Sequence, residues 1–252
     1  MDRTPKGARS TTAEQIRREG DDWTGGGGSA RVRTWPDGRR LVLLGGEPDA
    51  AAALLTAVAA GTTGRLHLMA DVRDAALLAA ARTAGFGEVR REDRYRIPLP
   101  AVPPRDHGVE LVSARDADLE RLRVLDERLR DDIPGSAGWR WTPAQFRAAS
   151  VDDPEFDPRT YLVAVAPDGS YVGLARVWMT RGGPRLGCLA VLPRYRRTRV
   201  TAALLHTVVA ELRGRGLHEV TAEVADTNRP ARALLARTGA VRTGTDVELL
   251  RP

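Results

Sequence analysis

The sequence has one cysteine, Cys188, and one lysine, Lys6. A single thiol forms no internal disulfide and no cysteine-rich zinc cluster. Its four histidines show no metal-ligand spacing, so no metal is expected. No apolar run reaches membrane-spanning length, and the opening MDRTPKGARS lacks the apolar core of a signal peptide. These absences predict a cytoplasmic protein with no membrane partner.

Arginine is abundant instead. The formal net charge is +6, which at first suggests a nucleic-acid partner. The arginines, however, are spread over the chain and mostly interleaved with Asp and Glu. Together with the richness in Ala, Gly and Leu, this fits a coding bias better than a binding surface, and no nucleic-acid partner is expected. At 42% apolar and 29% charged, 252 residues make ordinary globular material, either one large domain or two small ones.

Only one arginine group is dense. Arg194, Arg196, Arg197 and Arg199 fall within six residues. Before them, residues 186–192 read as a short buried strand ending at Pro193. After them, Val200, Ala203, Leu204, Val208 and Leu212 recur at helical spacing. The pattern is strand, basic turn, helix. A helix N-terminus offers unpaired N–H groups and the positive end of its dipole to anions. Arginines there add charge-assisted hydrogen bonds. The physical reading is a pyrophosphate site.

The run LAVLPRYRRTRVTAALL resembles the acyl-CoA-binding motif of the GNAT superfamily of N-acetyltransferases. There a strand ends in V-x-P and an Arg/Gln-x-x-Gly-x-Gly/Ala turn cradles the CoA pyrophosphate. Arg196 takes the first motif position; Arg199 and Thr201 stand where the family has glycine and glycine or alanine. A second motif, Asn-x-x-Ala before a helix ending in Gly, matches Asn228, Ala231 and Gly239. The pattern from residue 109 to 250 reads β-α-α-β-β-β-α-β-α-β, which is the GNAT order. The resemblance implies an α/β fold with a mixed twisted sheet flanked by helices. It also implies acetyl-CoA as co-substrate, held by Leu189, Ala190, Val191, Arg196, Arg197, Thr198, Arg199, Val200, Thr201, Ala202, Asn228 and Ala231. The oxyanion donor is then a backbone N–H around Val191.

Asp116 is the expected cap of the helix carrying Leu119, Leu122, Leu125 and Leu129, and Thr142 caps the next. Residues 1–30 read as weakly structured, with a short helix over 12–20 and a flexible run at 25–28. Residues 31–44 read as a hairpin around Pro36, Asp37 and Gly38. Residues 101–108 read as a linker, so the expected domains are 31–100 and 109–252, the latter closed by a strand at 247–250. Residues 41–99 repeat the strand-helix-strand-helix-strand half of the second domain at offsets of 150 and 154: Leu54 against Leu204, Asp74 against Asn228, Gly85 against Gly239. The first copy's turn, residues 45–49, is acidic where the second is basic. The plan resembles tandem GNAT enzymes with one degenerate half, such as the mycothiol synthase type.

The chemistry is less legible. Many GNATs place a tyrosine in the final helix as acid, where this chain has Leu235. Some place a glutamate early on the central strand as base, where it has Arg185. Asp131 and Asp132 are the first replacements for the base, with Glu223 behind them. Trp139 and Trp141, beside these carboxylates, are candidates to contact the acceptor or to fill a core joint. Cys188 reads as inert. The expected activity is N-acetylation of a small-molecule primary amine by direct transfer, in a monomer or homodimer. The alternatives are a protein or peptide amine acetyltransferase and a non-catalytic acyl-CoA-binding protein.

Overall fold

The computed structural model describes residues 16–35, 38–101, 106–134, 136, 138 and 140–252. They fall into two units, residues 1–89 with 247–252, and residues 90–246.

The first unit starts with an antiparallel meander: β1 (Arg17–Glu19), β2 (Asp22–Gly25), β3 (Gly28–Thr34) and β4 (Arg40–Gly46). Helix α1 (Ala51–Gly61) crosses over to β5 (Leu66–Asp71), which pairs parallel with β4 at Val42↔Leu68. Helix α2 (Ala75–Thr83) follows. Alternation along the strands puts Ala30, Val32, Val42, Leu66 and Leu68 into one core with Trp23, Leu54, Leu55 and Val58. The last residues of β12 (Val241–Arg251) complete this core through Val247 and Leu249.

Three expectations change here. Within the segment 1–30 read as weakly structured, residues 17–19, 22–25 and 28–30 are strand. Within the expected helix over 12–20, residues 17–19 pair with β2, while Thr12 and Gln15 lie outside the described residues. The glycine run is a tight hairpin in which Gly25 faces Gly28, and Gly26 and Gly27 have φ of 60° and 77°. Two successive positive φ values are what a two-residue hairpin loop demands, and glycine meets them without strain. The β3–β4 hairpin forms as expected; its Pro36 and Asp37 lie outside the described residues.

The second unit contains most of β6 (Gly87–Pro98), then β7 (Glu110–Ser113), α3 (Leu119–Arg130), α4 (Pro143–Ala148), β8 (Tyr161–Val165), β9 (Tyr171–Thr180), β10 (Gly183–Val191), α5 (Arg199–Gly214), β11 (Glu219–Ala225), α6 (Arg229–Arg237) and residues 241–246 of β12. From β7 onward this is the element order read from the sequence. The sheet order is β12-β6-β11-β10-β9-β8-β7. Strands β10 and β11 pair parallel, and β11 also runs antiparallel to β6, from Glu219↔Pro98 to Ala225↔Glu92. The unit boundaries therefore differ from those expected at 100 and 109. Residues 90–98, read with the first half, supply a strand to the second unit. Residues 247–250, expected to close the second sheet, lie in the first unit's core.

The halves repeat element by element. The series β4, α1, β5, α2, β6 has the order of β10, α5, β11, α6, β12. Asp74 caps α2 by accepting from Leu77 N, with φ −81° and ψ 75°. Asn228 caps α6 by accepting from Ala231 N, with φ −80° and ψ 75°. The copies part at the turn before the first helix, which is residues 47–50 in one and 192–198 in the other.

Candidate active site

β10 is bulged. Its register against β9 shifts between Leu186 and Cys188, leaving Gly187 extra. A Cβ at Gly187 would lie 2.7 Å from Trp178 Nε1, so glycine is required. Against β11, the register ends after Arg185↔Thr221 and Leu186↔Ala222. Beyond that point the two parallel strands part, and their backbone groups lose strand partners on the facing sides. A cavity of about 570 Å³ occupies the opening. Leu189, Ala190 and Val191 line it from β10, Glu223, Val224 and Ala225 from β11, Arg196 and Thr201 from the basic turn and α5, and Asn228, Ala231 and Leu235 from α6.

Close packing of β9 on β10 holds this strand end. A Cβ on Gly173 would fall 2.6 Å from Val191 Cγ1 and 3.0 Å from the Ala190 carbonyl oxygen. Gly173→Ala is expected to destabilise the protein by about 1–3 kcal/mol through overpacking. Chemical unfolding checks this, and an unchanged midpoint would refute the steric account.

The basic turn is a short 3-10 helix over Pro193–Tyr195 followed by Arg197 at φ 67°. Thr198 caps α5: its hydroxyl oxygen accepts from Val200 N at 3.3 Å, and the hydroxyl donates to the Tyr195 carbonyl at 2.6 Å. That cap leaves the first-turn N–H groups of Arg199 and Thr201 for an anion. Val200 is buried in the core, and Arg197, Thr198, Arg199 and Ala202 stand outside the cavity lining.

The two candidate bases separate. Asp131 is exposed and turned to Arg140, whose Nη1 and Nη2 donate to it at 3.0 and 3.1 Å, with Gly138 N at 3.2 Å. The Arg140 and Gly138 hydrogen bonds hold its carboxyl below the usual range, and it does not line the cavity. Asp132 does line it, accepting from Arg196 Nη2 at 2.7 Å. Glu223 also lines it, 3.3 Å from Arg185. Leu235 occupies the wall as an apolar side chain, and no tyrosine is among the lining residues.

Of the two readings of Trp141, the acceptor contact is not what the structure shows. Its ring is buried edge-on to Phe146, and its Nε1 donates to Asp126 at 3.2 Å. It belongs to the core under α3, since a buried indole N–H takes a hydrogen-bond partner there. Trp139 lies outside the described residues.

Sequence reasoning missed the buried charges behind the cavity, of which Arg130 and Arg176 reach its wall. Asp126, on the apolar face of α3 one turn after Leu122, accepts from Arg130 Nε at 2.5 Å and from Arg176 Nη1 at 3.2 Å. Burial pushes its carboxyl up, but Arg176 and Arg130 outweigh burial and hold it below the usual range. Tyr161, alongside, is pushed up to about 12 by burial. The available signals were an arginine inside the apolar run YVGLARVWM and an aspartate among leucines at helical spacing.

Cys188 touches the cavity, but burial raises its thiol pKa, so little thiolate exists at neutral pH. Cys188→Ala is expected to keep most of the activity. An acetylated Cys188 trapped in turnover and seen by mass spectrometry would overturn that.

Among the described residues no cluster of three metal-ligating side chains occurs, and no helix is long and apolar enough to cross a membrane.

A profile of the acetyltransferase (GNAT) family matches residues 124–240. No curated protein matches the chain. Among solved structures, a GCN5-related N-acetyltransferase from Sphaerobacter thermophilus is similar at 19% identity and a TM-score of 0.67, over 90% of this chain and 78% of that one. A tandem GNAT protein from the clavulanic acid biosynthesis pathway is similar at 19% identity and a TM-score of 0.62, over 95% and 83%. A GCN5-related N-acetyltransferase from Kribbella flavida is similar at 15% identity and a TM-score of 0.59, over 95% and 90%. At these identities the structural likeness speaks to the fold, and the profile match, which lies wholly within the second unit, speaks to the family. Residues 124–240 therefore carry a domain similar to the acetyltransferase (GNAT) family.

Proposed function

We propose that the protein acetylates a small-molecule primary amine with acetyl-CoA, by direct attack in a ternary complex within the second unit. The parting of β10 from β11 carries this reading. It opens a cavity that runs from the anion-seeking α5 N-terminus to strand backbone left without partners. Arg196, Thr201 and the first-turn N–H groups of α5 would hold the pyrophosphate. Residues 189–191 would hold the pantetheine arm, with a backbone N–H near Val191 facing the thioester oxygen. Asn228 and Ala231 would border the arm from α6. Bound acetyl-CoA supplies the acetyl thioester. The protein's part is to orient it, take the amine proton and exclude water.

The first unit is read as a partial copy that binds no CoA. Its turn is shorter, residues 47–50, and carries Glu47 and Asp49, which repel phosphate. Gly46 lies at φ 90°, and a Cβ there would meet the Gly27 carbonyl oxygen at 2.4 Å.

Calorimetric titration of CoA into the whole chain tests both statements. One site is expected, with Arg196→Ala or Arg199→Glu weakening it about tenfold or more, the value of a charge-assisted phosphate contact. A stoichiometry near two would sink the degenerate-copy reading. Thiol release with small amines, but not with peptides, separates the proposed acceptor class from a protein amine. CoA binding without thiol release from any amine would mark a non-catalytic binder.

A further inference from the structure

Arg176 has no role in the reaction just described, yet it is the cation most deeply set in the cavity wall. Its residue is 6% exposed, and it lines the cavity opposite Cys188 in the β9–β10 register. Its Nη1 donates to Asp126, which also serves Arg130, so one carboxylate answers two guanidiniums. Its Nε and the neighbouring Tyr161 hydroxyl are both buried without a well-formed hydrogen bond, and the hydroxyl lies close enough to interact weakly with the guanidinium.

Buried polar atoms are normally satisfied, and a buried guanidinium is kept only with its donors engaged. The other cavity cations are matched more simply. Arg185 meets Glu223, Arg196 meets Asp132 and Arg90 meets Glu92. Planar guanidinium donors fit a carboxylate in particular. Cys188, across from Arg176, precedes Val191 by three residues, about 10 Å along a strand. That spacing separates an acid-binding end of the cavity from the thioester end.

We infer that Arg176 receives a carboxylate carried by a substrate, so that the acceptor is a small amine bearing an acid a few bonds from its nitrogen. This rests on the transferase reading above. The same chemistry would suit an acyl donor with a terminal carboxylate, and the test separates the two sources.

The measurement is kcat/KM with acetyl-CoA for matched pairs of amines, each an amino acid and its carboxamide. The acid member should lead by about tenfold or more, the value of a charge-assisted hydrogen bond. Arg176→Met should bring each pair level by slowing the acid alone. Arg176→Lys, which keeps the charge beside Asp126 should the Met variant fail to fold, should shrink the preference. A purely structural arginine would slow both members equally. In a second arm, succinyl-CoA is compared with acetyl-CoA on a plain amine. A preference for succinyl-CoA that Arg176→Met abolishes would keep the carboxylate site and assign it to the donor.

Equal use of acids and carboxamides, with no donor preference, would overturn the inference and leave the transferase reading standing. Should no amine be acetylated although CoA binds, the transferase reading fails. The same acids and carboxamides are then titrated calorimetrically into the CoA complex. Selective binding of acids that Arg176→Met removes would still support the site, and its absence would overturn it.

Discussion

Replacing Asp126 by alanine is expected to cost about 3–5 kcal/mol, enough to unfold a marginal domain. The carboxylate is 2% exposed and accepts from Arg130, Arg176 and the Trp141 indole. Its removal leaves Arg176 buried without a counter-charge and the indole N–H without an acceptor. Asp126→Asn keeps an acceptor but loses the charge, so its cost should fall between wild type and alanine. The pH dependence has a definite sign. The folded carboxyl is held below its ordinary value, because the two guanidiniums outweigh burial. Its contribution is therefore present above the unfolded pKa, about 3.9, and is lost as pH falls through the folded value. Urea unfolding at neutral pH and below about pH 4 should show the gap between wild type and Asp126→Asn narrowing in acid. A gap under about 0.5 kcal/mol at neutral pH would mean that Arg176 finds another partner.

The second unit's element order was legible because its signals are local. Thr142 caps α4 as expected, in a capping box with Gln145, and the asparagine of the second motif, Asn228, caps α6. The first cap differs: Asp118, not Asp116, accepts from Arg121 N, and Asp116 sits in the preceding turn. What stayed hidden depends on distant partners. Strands β1 and β2 are short and mostly polar, and it is pairing, of β1 with β2 and of β2 with β3, that makes them strands. Strands β6 and β12 are both long and polar, and no local pattern says which sheet each joins. Proline-rich residues 98–108 look like a boundary in sequence, yet β6 immediately before them pairs with β11 of the second unit.

The same division holds at the site. The cofactor turn was legible because its chemistry lies within six residues, 194–199. The splay that gives the turn its cavity depends on one bulge at Gly187, which the sequence shows only as a glycine in a strand. Asp131 and Asp132 looked equivalent, and their separation depends on which arginine each meets, Arg140 in the following loop or Arg196 far along the chain. Trp141 could be read either as an acceptor contact or as core filler. The carboxylate that claims it, Asp126, is on the face of α3 that the leucine pattern marks as core.

The largest expected effect on activity is at Glu223. Alkylamines titrate near pH 10, so at neutral pH the acceptor arrives protonated and must lose that proton before attack. Direct attack thus needs a carboxylate in the cavity, which Asp131 does not line. Asp132 is held by Arg196, the residue proposed for the pyrophosphate, which puts it at the cofactor's polar end. Glu223 directly follows Ala222, the last β11 residue paired with β10, so it stands where the strands part. Arg185 meets it from the neighbouring strand at 3.3 Å. Glu223→Gln is expected to lower kcat about a hundredfold or more at neutral pH, the typical worth of a positioned general base. The loss should shrink at higher pH, as the free amine fraction rises and the base becomes dispensable. Asp132→Asn should act mainly on the KM for acetyl-CoA, with kcat within about tenfold. Leu235→Tyr should also stay within about tenfold, because a thiolate leaving group near pKa 8.5 needs little help from an acid. A Glu223→Gln enzyme with near wild-type kcat, beside an Asp132→Asn enzyme slowed a hundredfold, would move the proton to the other side of the cavity. Arg196 would then have to release Asp132 when the pyrophosphate binds, and cofactor binding would itself arm the base.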